Sequence, residues 1–232
     1  MKNHVCLLAF AIAALLPVLC VNSAAAGPAQ VGAIVQFGGY DWRVLDVQSN
    51  KALIITEHVI ERRPYYVEWK AVTWETCTLR EYLNGEFLQK FTPEDQGRIA
   101  ETRIKNPNNL WYGTNGGNDT TDKIFLLSLE EVVKYFGDSG QLRNRPGADA
   151  HWIIDKYNSA RTAYDSTGKA TPWWLRSPGE VGASVVDVGG DSVDGDDEGI
   201  VYVIGGNVHA NGGVRPALWL NSSRIRLFVP VH

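Results

Sequence analysis

The sequence predicts an α+β domain in which an antiparallel sheet joins the two ends of the chain and helices occupy the middle. Two observations carry this. Short strand-forming runs with Gly or Asn at their turns cluster before residue 57 and after residue 171, whereas capped helical patterns fall between them. Strand and helix do not alternate, as a parallel sheet would require. No repeat of solenoid period is present.

Taken in order, Lys2 and His4 precede an apolar run, Val5 to Leu19, that ends in Ser23-Ala24-Ala25-Ala26 before Gly27. This is the pattern of a secretory signal cleaved after Ala26, so residues 1–26 are expected to be removed and 27–232 to form a single domain. The run is shorter than the roughly 20 residues of a membrane span and contains Pro17, so no span is expected after cleavage. Cleavage also removes Cys6 and Cys20 and leaves Cys77 alone, which excludes an intramolecular disulfide and a cysteine zinc site. The expected location is secreted or at the cell surface. The formal net charge of −4 without basic runs argues against nucleic acid as a partner.

Ile34–Phe37, Tyr40–Val47 and Ala52–Thr56 read as three strands turned at Gly38-Gly39 and Ser49-Asn50, with Trp42, Val44 and Leu45 facing inward. Glu57–Ala71 is irregular, broken at Pro64. Leu79, Tyr82, Leu83 and Phe87 recur at helical spacing and predict a helix over 75–88, N-capped by Thr73. Thr92-Pro93-Glu94-Asp95 starts a second helix that ends near Ala100. A strand is predicted over 102–105, then a polar loop over 106–122 and a compact apolar strand over 123–127. Ser128-Leu129-Glu130-Glu131 is a capping box, so a helix follows to Phe136 and stops at Gly137. Asp149 is taken as the cap of another helix through Ala160, with Ile153, Ile154 and Tyr157 on its apolar face. Strands return at 173–176, 183–188, 200–204, 214–220 and 225–229.

The C-terminal third holds two aromatic, arginine-bearing stretches, PWWLRSPG (172–179) and GGVRPALWL (212–220), separated by a run of Gly, Val, Asn and Asp with few large side chains. Trp173, Trp174 and Trp219 read as core anchors. Arg176 and Arg215 read as clamps whose five donors satisfy loop carbonyls or a carboxylate at the core edge. The run between them reads as presented surface. If Val201, Val203 and Val208 face inward, then Tyr202, Asn207, His209 and Asn211 face outward, a composition suited to an adaptable binding surface. Trp111 and Tyr112, which precede a Gly/Asn/Thr loop, are the further candidates for ligand stacking.

With these residues in view, WWLRSPG followed by GVRPALWLN, together with VQFGGYDWRVLDV, TLREYLNGEF and WYGTNGGNDTTDKIFLLSLEEV, resembles a bacterial extracellular family known as domain of unknown function 6273. The resemblance spans about Val31 to Asn221. It implies a C-type-lectin-like fold, related in shape to formylglycine-generating enzymes and to retroelement-diversified variable proteins, with neighbouring termini, two central helices and a long loop region for binding. Fold likeness alone does not transmit function.

Catalytic and metal chemistry find few residues. Cys77 lies in an apolar helical pattern, where a buried thiol is inert. The copper-dependent oxidases of the implied fold use a cysteine pair that residues 27–232 cannot supply. His151 and Asp155, four apart on the predicted helix, read as a surface pair without a third partner. Asp191, Asp194 and Asp196, within an acidic run from Asp187 to Glu198, are calcium candidates, but their spacing is not that of an EF-hand loop and a solvated turn is the reading. No other cofactor is expected. The expected function is therefore a secreted or cell-surface, non-catalytic recognition domain that binds a protein or glycan through the 179–213 loops of the C-terminal third, with the 106–122 loop as a further contact. The alternatives are an extracellular hydrolase acting on envelope or host polymers, recognised by converging carboxylates, and a structural module of a surface assembly, recognised by a large apolar patch.

Overall fold

A computed structural model describes residues 29–191 and 197–221. The signal-peptide expectation, the strand at 225–229 and the calcium candidates Asp194 and Asp196 lie outside the described residues.

The chain opens on the expected meander: β1 (Ile34–Phe37), β2 (Tyr40–Gln48) and β3 (Lys51–Thr56). Val35, Phe37, Trp42, Val44 and Leu45 are buried, and Ala52 to Ile55 are buried on both faces of their strand. The sheet is completed by the last described strand, β12 (Ala217–Asn221), which pairs antiparallel with β3 from Ala217↔Ile55 to Asn221↔Lys51. The two ends of the described chain thus share one four-stranded sheet, in the order β1-β2-β3-β12.

Several middle elements match their start signals. In α2 (Pro93–Arg98) the Thr92 hydroxyl accepts from the Asp95 amide at 3.2 Å. In α3 (Leu129–Phe136) the capping box is closed in both directions, Glu131 N to Ser128 Oγ at 3.2 Å and Ser128 N to Glu131 Oε2 at 2.9 Å. β5 (Thr102–Ile104) also stands where a strand is expected, and its partner is β6 (Thr120–Asp122), cut from the end of the predicted polar loop.

Four expectations are corrected. The predicted helix over 75–88 is a chain of short pieces: a 3₁₀ turn at Trp74–Thr76, α1 (Thr78–Tyr82), a π turn at Leu83–Phe87 and a 3₁₀ turn at Leu88–Lys90. Thr73 makes no side-chain cap; the Cys77 sulfur caps α1, accepting from the Arg80 amide at 3.4 Å. Residues 123–127 are a connector, buried from Ile124 to Leu127, with a single bridge, Phe125↔Ala217, instead of a strand. The predicted helix over 149–160 is the short strand β7 (Trp152–Ile153) followed by the single turn α4 (Asn158–Arg161). Ile154 is exposed there, so no apolar face runs from it to Tyr157, and His151 and Asp155 do not share a helix face. Finally, the strand predicted over 214–220 divides at Arg215-Pro216 between β11 (Asn211–Val214) and β12, because Pro216 cannot donate to a ladder. β4 (Glu61–Pro64), inside the segment read as irregular, pairs with β11.

β8 (Trp173–Pro178), β9 (Ser184–Val188) and β10 (Val201–Asn207) form the centre of a second, six-stranded sheet in the order β4-β11-β8-β9-β10-β7, antiparallel except for β11 against β8. Much of the 179–213 run is therefore sheet instead of loop, with one face in the core and the other turned outward. Among the described residues no helix is long and apolar enough to cross a membrane.

Candidate functional site

Pairing in the second sheet fixes which side chains share a face. Trp173, Val188, Val201 and Ile153 stand opposite one another across β8, β9, β10 and β7, and all four are buried. The adjacent register places Trp174, Asp187, Tyr202 and Trp152 opposite one another on the other face. Along this row exposure rises, from Trp174 at 4 % through partly buried Asp187 and Tyr202 to Trp152 at 44 %.

The row is walled at one end and open at the other. Trp174 donates its indole N–H to the Arg63 carbonyl at 2.9 Å and packs against Gly212, where an added Cβ would meet the ring at 2.2 Å. Asp187 Oδ1 accepts from the Gly206 amide at 3.0 Å. Burial pushes the Asp187 carboxyl up to about 7, and that one backbone N–H offsets it only in part. Tyr202 is raised to about 12 by burial and by a hydrogen bond with Asp197. At the open end Tyr202 and Trp152 have ring centroids 6.2 Å apart, and Trp152 and His151 5.8 Å apart.

His151 continues the row to Trp111 and Tyr112. Its Nδ1 is 2.8 Å from the Tyr112 hydroxyl, and the Arg145 guanidinium lies 4.8 Å from the centroid of Tyr112 and 5.1 Å from that of Trp111. Trp111 and Tyr112 are partly buried, and the Trp111 indole is committed to the Leu142 carbonyl at 2.8 Å. The two separately predicted sets, 111–112 and 202, thereby join in one aromatic belt. The others separate from it: Asn207, His209 and Asn211 are exposed at the connection from β10 to β11, where the Asn207 side chain accepts from the His209 amide at 2.9 Å.

Trp173, Trp174, Arg176 and Arg215 are buried, while Trp219 is only partly so. Arg176 donates to the Leu126 and Lys105 carbonyls at 2.6 and 3.1 Å and pairs with Glu131 at 2.5 Å. Burial opposes the Glu131 charge, but the guanidinium outweighs it and holds that carboxyl below its ordinary value. Arg215 donates to the Thr56 and Glu57 carbonyls at 2.8 and 3.2 Å.

Of the remaining candidates, Asp191 pairs with Lys169 at 3.5 Å and Asp155 with buried Arg161 at 2.5 Å. Among the described residues no three His, Cys, Asp or Glu side chains gather as metal ligands would. Cys77 is fully buried and its thiol is pushed up to about 12 by burial. Sequence reading missed Trp152 and Asp187 as members of the site, and Asn109 as its support. A lone Asp in the valine run SVVDV was the available signal for Asp187; Trp152 was hidden by a false helix.

A family model described as a domain of unknown function, DUF6273, matches residues 49–222. No curated protein and no solved structure matches the chain.

Proposed function

We propose, for a chain that belongs to the DUF6273 family, the role of an exported, non-catalytic recognition domain that holds a glycan along the belt from Tyr112 to Asp187. The observation that carries this reading is the outward row Trp152, Tyr202 and Asp187 on the second sheet. Flat aromatic faces pack against the apolar faces of sugar rings, and a partly buried carboxyl beside them offers an oxygen to sugar hydroxyls. The apolar run at residues 5–19 with its A-x-A site supports export, to the medium or the cell surface. We also read the fold as C-type-lectin-like, on the pairing of both chain ends in one sheet and the helices in mid-chain.

A glycan array probed with residues 27–232 tests the reading, with Trp152→Ala and Tyr202→Ala as variants. Hits should weaken at least about 10-fold in each variant, since a stacked ring contributes roughly 1–3 kcal/mol, with the thermal midpoint nearly unchanged. Hits that survive both substitutions, or an array that stays blank while a protein array responds through Asn207, His209 and Asn211, would sink the glycan assignment. A hydrolase acting on polymers is the second reading. The observation favouring it is the Asp187 carboxyl, poised near neutrality as a general acid would be. Turnover lost in Asp187→Asn while binding persists would select it.

A further inference from the structure

Asp122, Asp155, Glu131 and Glu57, buried or partly buried, each face a guanidinium: Asp122 pairs with Arg80 at 2.7 Å, Asp155 with Arg161 and Glu131 with Arg176 at 2.5 Å, and Glu57 with Arg43. Asp187 has no such partner. It enters no ion pair among the described residues, and its Oδ1 is engaged only by the Gly206 amide at 3.0 Å. The other oxygen, Oδ2, accepts no hydrogen bond among the described residues, yet it keeps access to solvent.

The cross-strand pairs Trp174↔Asp187 and Tyr202↔Asp187 set an aromatic residue on either side of this carboxyl, at about 5 Å between Cβ atoms. Trp152 follows Tyr202 on the open side, ring centroids 6.2 Å apart. The absence of a side chain at Gly206 leaves room beside them, since an added Cβ there would stand 3.3 Å from Asp187 Oδ1 and 3.2 Å from the Trp174 ring. An unpaired carboxylate among aromatic rings is matched by a cation, which the charge and the ring quadrupoles both attract. Removal from water without a compensating cation is what pushes the Asp187 carboxyl up to about 7. The Tyr202 hydroxyl is hydrogen-bonded to a second acid, Asp197, so the neighbourhood adds negative charge instead of neutralising it. Resting on the glycan reading above, we propose that the sugar held between Trp152 and Asp187 carries a free amine: an amino sugar without N-acetylation, its ammonium at Asp187 Oδ2 beside the Tyr202 ring and its apolar face toward Trp152.

Calorimetric titration of the protein at pH 7 with the trimer of glucosamine and the trimer of its N-acetyl derivative, which differ only in the amine, tests the proposal. The glucosamine trimer is expected to bind at least about 10-fold more tightly. Asp187→Asn, which keeps the shape and the Gly206 contact, should bring the two affinities to within about 2-fold of each other. The other acids behind the formal net charge of −4 are untouched in that variant, so a general attraction for polyamines would leave the preference standing. Equal affinity of the wild type for the two trimers overturns the amine assignment while the glycan reading stays in place, and this comparison needs no variant to fold. A preference that survives Asp187→Asn overturns the placement at Asp187. No saturation by the glucosamine trimer up to about 10 mM overturns the proposal outright, and the glycan reading is then decided separately by the array with Trp152→Ala and Tyr202→Ala.

Discussion

Replacing Asp187 by Asn should stabilise the protein by its full amount above pH 7 and by roughly a third of that at pH 5, because the unfolded carboxyl begins to ionise near pH 4. Asn keeps the shape and the acceptor for the Gly206 amide but cannot ionise. An acid whose pKa is higher in the folded state favours folding while protonated; that contribution is complete below about pH 4 and disappears as pH rises through about 7. Moving a carboxyl from 3.8 to about 7 corresponds, at about 1.4 kcal/mol per pH unit, to about 4 kcal/mol as an upper bound. Solvent reaching a partly buried group reduces this to about 2–3 kcal/mol. For a domain of this size that is roughly 5–10 °C in melting midpoint at pH 8.5. Thermal melts of the wild type and the variant at pH 5 and pH 8.5 measure it, and the comparison cancels other titrations, such as the depressed Glu131 carboxyl. An equal difference between the two proteins at both pH values would refute the placement of Asp187.

Two further predictions follow from packing. Gly212→Ala drives a Cβ to within 2.2 Å of the Trp174 ring and should cost about 2 kcal/mol or more while perturbing near-ultraviolet circular dichroism; Gly147→Ala, with nothing within 4 Å, should do neither. Cys77, buried with its thiol at about 12, should resist a thiol reagent at pH 8 for as long as the fold persists and react fully in denaturant.

Local signals were legible where the chain satisfies its own backbone. The Thr92-Pro93 start and the Ser128–Glu131 box close within four residues, and the alternation in Tyr40–Gln48 is a property of one strand. Legibility failed where distant partners decide. Residues 149–160 have a cap and an apolar spacing, yet Trp152 and Ile153 gain more by pairing with Tyr202 and Val201. Phe125 to Leu127 look like a strand because they are apolar, but their carbonyls are taken by Ala217, by the Arg176 amide and by its side chain. The aromatic belt was illegible for the same reason: it is a statement of register among strands some 50 residues apart, so its members could be suspected singly but not assembled.

What holds that register open is Asn109, and the consequence can be measured. Between Trp174↔Asp187 and Pro178↔Val185, β8 carries two more residues than β9; between Tyr202 and Gly206, β10 does the same. Both strands therefore part from β9 around Val186, leaving carbonyls without ladder partners. The Asn109 side chain, 2 % exposed, donates to two of them, Pro178 O at 2.8 Å and Val203 O at 3.0 Å, while its oxygen accepts from the Trp111 and Tyr112 amides at 2.9 and 3.3 Å. One buried amide thus ties the opened sheet to the turn that carries the far end of the belt. Asn109→Ala strands buried polar groups at about 1–3 kcal/mol each, so a loss of about 2–5 kcal/mol in urea unfolding is expected. Asn109→Asp, which keeps the acceptor but loses both donors, should be nearly as damaging at neutral pH. If Asn109→Asp instead unfolds like the wild type, the carbonyls of Pro178 and Val203 are satisfied otherwise, and the support assigned to the belt is misplaced.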